Sequence, residues 1–104
     1  MTDKIYTINE IKSVVGSIAN RYGVKRVCLF GSYARGKANS QSDLDFVIDE
    51  GSIRGLQFAG MLGDLMDNFD KGVDLFTFSS LYNYEKDERF NTALERDMVV
   101  VYEQ

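Results

Sequence analysis

The sequence predicts an α/β or α+β fold, a mixed β-sheet flanked by helices, in a single small domain. Three observations predict it. Apolar residues recur at three- and four-residue spacing in two long stretches, and short β-branched or aromatic runs stand between and after them. A chain of 104 residues allows one hydrophobic core and no second one. Proline is absent, and no repeat, low-complexity tract or linker divides the chain, so residues 1–104 are expected to form one domain.

The elements follow in order. Thr7-Ile8-Asn9-Glu10 has the T-x-x-E form of a capping box, in which the Thr hydroxyl accepts from one free N–H and the Glu carboxylate reaches back to another. Ile8, Ile11, Val14, Val15, Ile18, Ala19 and Tyr22 then form a helical stripe, and Gly23 fits its stop. Val24 to Phe30 reads as a buried strand. Gly31-Ser32 interrupts it, with Ser32 as N-cap of a short helix from Tyr33 to Lys37. After a polar loop from Ala38 to Ser42, Leu44, Phe46, Val47 and Ile48 make a second strand. Ile53 to Phe69 reads as a second long helix, although Gly55, Gly60 and Gly63 each cost it ~1 kcal/mol relative to alanine. Gly72 to Phe78 is a third strand, Ser79 to Arg96 a loop or helix, and Met98 to Tyr102 a last short strand.

Composition removes several kinds of chemistry. Without histidine, a histidine-based triad is impossible and the commonest general base is missing. One cysteine, Cys28, permits no intrachain disulfide and, with no histidine, no conventional zinc site. Cys28 reads as a buried core thiol. No apolar run approaches the ~20 residues that span a bilayer, and the N-terminus lacks the layout of a signal peptide. A cytoplasmic location without membrane contact is therefore expected. A net charge of −4 speaks against direct DNA or RNA binding, which leaves a basic footprint. Any chemistry must rest on carboxylates, hydroxyls, Lys, Arg or a hard metal ion.

Three features point to such chemistry, each with a plainer reading beside it. Gly31-Ser32 ends a strand and opens a helix, where glycine lets a phosphate approach and free N–H groups attract anions; it also serves as a turn. In Ser42-Asp43-Leu44-Asp45 the alternation of a strand puts both carboxylates on one face, with Cα atoms roughly 6.5–7 Å apart. They can reach one Mg²⁺ or a pair ~3.5–4 Å apart, or can simply be a solvated strand entry. Asp74 stands in the middle of an apolar strand, where its charge needs water, a cation or a metal. Together the three suggest a phosphate cradle beside a three-carboxylate metal site, which is what phosphoryl or nucleotidyl transfer requires.

The stretch Gly31-Ser32-Tyr33-Ala34-Arg35-Gly36, then Ser42-Asp43-Leu44-Asp45, resembles the G-S-x10-D-x-D signature of the nucleotidyltransferase β superfamily. The A-R-G and S-D-L-D are similar to its minimal nucleotidyltransferase (MNT) group. Val73-Asp74-Leu75 falls where that family carries a third carboxylate, and Glu95 to Tyr102 looks like its closing helix-to-strand step. The resemblance covers almost the whole chain. It implies a nucleotidyltransferase-like sheet, and it implies that Gly31 and Ser32 hold the triphosphate of ATP. Asp43 and Asp45 would bind two Mg²⁺ ions; Asp74 would bind one and act as general base. Arg35 could pair with a phosphate or be an exposed helix arginine, while Ser42 caps the strand entry or touches the nucleotide.

Larger members of the family add a domain that holds the acceptor, and nothing is left here to form one. The acceptor is then expected on another chain, on a second copy or on a very small molecule. MNT proteins similar to this one act as antitoxins that adenylylate a tyrosine on a HEPN-type ribonuclease toxin, and this is the function the resemblance implies. Two alternatives stand beside it: a binding module that neutralises its partner by contact, and a nucleotidyltransferase acting on small molecules, across a dimer if need be.

Overall fold

The computed structural model describes residues 2–49, 53, 55–78, 80 and 96–104. The first helix, α1 (Ile8–Tyr22), starts where the capping box predicts. Glu10 N–H donates to Thr7 Oγ1 at 3.1 Å, Thr7 N–H donates to Glu10 Oε1 at 2.9 Å, and Lys4 pairs with Glu10 at 2.6 Å. It ends at Gly23, whose φ of 74° is the left-handed turn expected of a glycine stop.

Strand β1 (Arg26–Phe30) leads into the short helix α2 (Gly31–Ala34), and β2 (Leu44–Ile48) returns beside β1. Helix α3 (Leu56–Phe69) crosses back to β3 (Val73–Thr77), and β4 (Val99–Glu103) closes the described chain. The sheet order is β3-β2-β1-β4. β1 runs antiparallel to both β2 and β4, with a bulge at Val27/Cys28, while β2 and β3 are parallel. A parallel pair needs a crossover, and α3 supplies it. The result is the mixed sheet with helices that the sequence predicts. Among the described residues no helix is long and apolar enough to cross a membrane.

Alternation along the strands gives the two sheet faces different partners. Val27, Leu29, Leu44, Phe46, Ile48, Val73 and Leu75 face the main core, where Ile11, Val15 and Ile18 of α1 and Met61, Leu65 and Phe69 of α3 cover them. Cys28, Phe30 and Val47 belong to a second, smaller cluster with Phe76, Phe78 and Met98. Burial pushes the Cys28 thiol pKa up, which suits an inert core thiol.

Several boundaries differ from the sequence reading: β1 starts at Arg26 rather than Val24, and β3 spans Val73–Thr77 rather than Gly72 to Phe78. α3 begins at Leu56 rather than Ile53, because Gly55 turns the chain at φ 57° just before it; Ile53 is buried outside the helix. α2 begins at Gly31 with Phe30 as its cap residue and no side-chain cap bond, so Ser32 is the second helical residue and not an N-cap. The last strand runs one residue later than predicted, to Glu103. Gly60, which weakened the helix prediction, lies where α1 and α3 meet: a Cβ there would stand 2.9 Å from the Tyr22 hydroxyl oxygen. That hydroxyl donates to Asp64 Oδ2 at 2.7 Å. Most of the 79–96 stretch, read from sequence as a loop or helix, lies outside the described residues, with Leu81, Tyr82 and Tyr84 in it.

Candidate active site

The site is built where β1 ends and β2 and β3 begin. Phe30 pairs with Asp45 across β1 and β2, and Asp45 pairs with Asp74 across β2 and β3. Asp45 alternates with Leu44 and Phe46, and Asp74 with Val73 and Leu75, so both carboxylates project from the face opposite the two long helices. In adjacent parallel strands such partners sit about 4.8 Å apart. Asp45 is half-buried, while Asp43 and Asp74 are exposed.

Each carboxylate of the D-x-D pair rests on a glycine. Gly31 has φ 75°, a left-handed conformation that L side chains rarely adopt, and a Cβ there would collide with the Asp45 carboxylate. Gly72 stands against Asp43 in the same way: a Cβ would come within 2.9 Å of Asp43 Cγ. Sequence reasoning found Gly31 but missed Gly72, whose only signal is a glycine two places before Asp74.

The electrostatics are those of crowded like charges. The Asp45 carboxyl pKa is pushed up to about 7. Burial is the largest cause, followed by its hydrogen bond with Asp74 and by the negative charges of Asp74 and Asp43; the Arg35 guanidinium opposes them. Arg35 closes α2, is exposed, and thus places its charge within reach of this carboxyl. Ser32 is half-buried in the first turn of α2, where helical N–H groups lack intrahelical acceptors. Ser42 braces a turn: its Oγ accepts from Asn39 N–H at 2.9 Å, and Ser42 N–H donates to the Asn39 carbonyl at 3.0 Å.

The sequence predicted a convergent cluster of three carboxylates. Among the described residues no three acidic or thiol side chains are gathered closely enough to hold a metal ion as they stand. Instead Asp45 stands beside Asp74 across the parallel strands, and Asp43 leans on Gly72. Like charges this close repel, and burial with the neighbouring carboxylates pushes the Asp45 pKa up. The donor chemistry still fits a hard divalent cation: all oxygen, acidic, beside a raised pKa whose proton a cation can displace.

Comparison with known proteins bears on the family and the fold. The sequence profile of the nucleotidyltransferase domain family matches residues 8–101. A Methanocaldococcus jannaschii protein carrying the provisional name protein adenylyltransferase is 35% identical over 89 residues, covering 85% of this chain and 96% of that one. The protein adenylyltransferase MntA of Thermococcus cleftensis is 38% identical over 47 residues, covering 41% of this chain and 48% of its own. Among solved structures, a toxin–antitoxin complex with AMP-PNP contains a chain that superposes with a TM-score of 0.67 at 15% identity, covering 89% of this chain and 73% of that one. A complex of tri-AMPylated Shewanella oneidensis HEPN toxin with its MNT antitoxin gives a TM-score of 0.60 at 13% identity, over 89% of this chain and 70% of the other. At such identities these two establish likeness of fold.

Proposed function

The chain belongs to the nucleotidyltransferase domain family, and from that premise we propose that it transfers AMP from ATP to a tyrosine hydroxyl of a partner protein, a HEPN-type toxin that it thereby neutralises. The observation that carries this reading is the Asp45–Asp74 pair, side by side on the sheet face away from the helices, with Asp43 and Gly31 against it. Relatives aligned over most of the chain bear the name protein adenylyltransferase, and similarly folded chains occur in toxin–antitoxin complexes.

The residues divide the work. Gly31 and Ser32 hold the triphosphate at the start of α2, where the first helical N–H groups lack intrahelical acceptors. Arg35 pairs with a phosphate, and Ser42 steadies the entry to β2, at the edge of the nucleotide. Asp43, Asp45 and Asp74 would hold two Mg²⁺ ions, which when bound neutralise phosphate charge and steady the leaving pyrophosphate. Asp74, exposed at the rim, accepts the proton of the attacking hydroxyl. A bond forms from that oxygen to the α-phosphorus, and the bond from α-phosphorus to the bridging oxygen breaks.

Co-expression with the protein encoded beside this chain, followed by intact-mass measurement of that partner, tests the reading. A mass gain of whole AMP units with wild type, absent with D43A/D45A, is the expected result. A stable complex with no mass gain would instead support neutralisation by contact, and labelling of small acceptors without any partner would support a small-molecule enzyme.

A further inference from the structure

Lys71 is the one charged residue buried among the described residues, only 5% exposed, and nothing said so far gives it a task. An ammonium is costly to bury, and its hydrogen bonds must offset that cost. Its Nζ donates to two backbone carbonyls, Lys4 at 2.8 Å and Ser40 at 3.0 Å, and among the described residues no carboxylate is paired with it. The two carbonyls are far apart in sequence. Lys4 belongs to an N-terminal strap laid over the end of α3, where Thr2 N–H donates to the Asp70 carbonyl at 3.0 Å and the Tyr6 hydroxyl to the Phe69 carbonyl at 2.7 Å. Ser40 lies in the 39–42 turn that delivers the chain to Asp43.

That turn has its own bonds, from Asn39 to Ser42 and from Gln41 N–H to Asn39 Oδ1 at 2.8 Å. They fix its shape but not its place. Its place is set at the start of β3. Lys71 holds the turn through Ser40, and the next residue, Gly72, accepts from Leu44 N–H at 3.0 Å and gives Asp43 the surface on which its carboxylate rests. Lys71 and Gly72 thus grip Asp43 from both sides along the chain. The charges acting on Asp45 are those of Asp74, Asp43 and Arg35, so Lys71 acts through position rather than through its field at that carboxyl.

We propose that Lys71 is a positioning residue for Asp43: by tying the Ser40 carbonyl to the start of β3 it sets where the Asp43 carboxylate stands against Gly72, and so how well the site takes a divalent cation. The proposal rests on the reading of Asp43 as a cation-holding carboxylate. Its test is Mn²⁺ binding to the full chain by calorimetry, below the melting temperature of every variant, so that no turnover is needed. K71M keeps the length of the side chain and loses the donors. It is expected to weaken Mn²⁺ about tenfold, the low end for residues that orient metal ligands. Y6F removes a bond of the same strap without touching the turn; it is expected to lower Tm and leave Mn²⁺ affinity at the wild-type value.

A folded K71M with wild-type Mn²⁺ affinity overturns the proposal, and so does a Y6F that weakens Mn²⁺ as much as K71M. If K71M does not fold, K71Q decides: its uncharged amide is shorter than the lysine side chain and carries no ammonium to donate to both carbonyls. A folded K71Q with weakened Mn²⁺ binding supports the proposal, and one that binds like wild type overturns it. A wild-type chain that binds no Mn²⁺ at all overturns the carboxylate reading and the Lys71 proposal with it.

Discussion

The two faces of the sheet are made by the same strands and obey opposite rules. On the helix-covered face, Leu29, Phe46, Ile48 and Leu44 are fully buried and no strand position carries a charge apart from the strand ends. On the other face, Phe30, Val47 and Phe76 share the surface with Asp45 and Asp74, one of them carrying a strongly raised pKa. One residue of offset along a strand separates the two environments. The main core lies on the first face and the candidate site on the second. Like charges are crowded only where the main core does not depend on them.

Paired substitutions at neighbouring positions of β2 break this contrast most sharply. Phe46→Ala removes a fully buried ring that stacks with Phe69 at 6.0 Å, and should cost about 3–5 kcal/mol by denaturant unfolding. Asp45→Asn, one residue away, should leave the metal-free fold at least as stable as wild type, because it removes a charge the fold disfavours. The same change should lower nucleotide transfer by roughly a hundredfold to a thousandfold, the scale for losing a group that stabilises transition-state charge. An Asn variant that unfolds as readily as Phe46→Ala would place structural weight on the reactive face and end the contrast.

A smaller effect is expected where the two faces meet, at the end of β1. Gly31→Ala forces a side chain into a φ of 75° and against the Asp45 carboxylate, so it should cost about 1–3 kcal/mol in stability. Transfer should fall with it, since Asp45 must move. Should thermal unfolding and transfer of the alanine variant both match wild type, the close packing of Gly31 on Asp45 would have no functional weight.

How much of this was legible in the sequence follows the range of the forces involved. The capping box at Thr7–Glu10 and the glycine stop at Gly23 are local, and they appear where the sequence put them. The shared face of Asp45 and Asp74 needed only period-two alternation and a parallel register, although the register itself came from the fold. Less could be read where distant segments meet. Gly60 looked like a weak point in a helix until Tyr22 of α1 was seen against it, and Gly72 looked like a strand entry until Asp43 was. Nothing local in the sequence says that carbonyls of residues 4 and 40 converge on Lys71. The three carboxylates could be counted in the sequence; that Asp43 rests against Gly72 while Asp45 stands beside Asp74 depends on the fold.

The mildest prediction concerns that proton. Asp45 has a pKa of about 7 in the folded chain against 3.8 as the ordinary value, so between those values the folded state holds a proton that the unfolded state has released. Stability falls with rising pH wherever the folded state binds more protons. The contribution is therefore fully present below about pH 4 and is lost as pH rises to about 7, and solvent screening at a half-buried group makes it modest. Glu10, whose carboxyl pKa is held down chiefly by Lys4, titrates with the opposite sign below its ordinary value of 4.5, outside a window from pH 5 to 8. In EDTA, Tm should fall from pH 5 to pH 8 for wild type and stay flatter for Asp45→Asn. With saturating Mg²⁺ the wild-type trend should reverse, because the cation binds the deprotonated carboxylate and stabilises the fold more as the proton leaves. Identical slopes for the two proteins in EDTA would locate the proton elsewhere. An unreversed slope in Mg²⁺ would mean that the reactive face keeps its proton in preference to the cation.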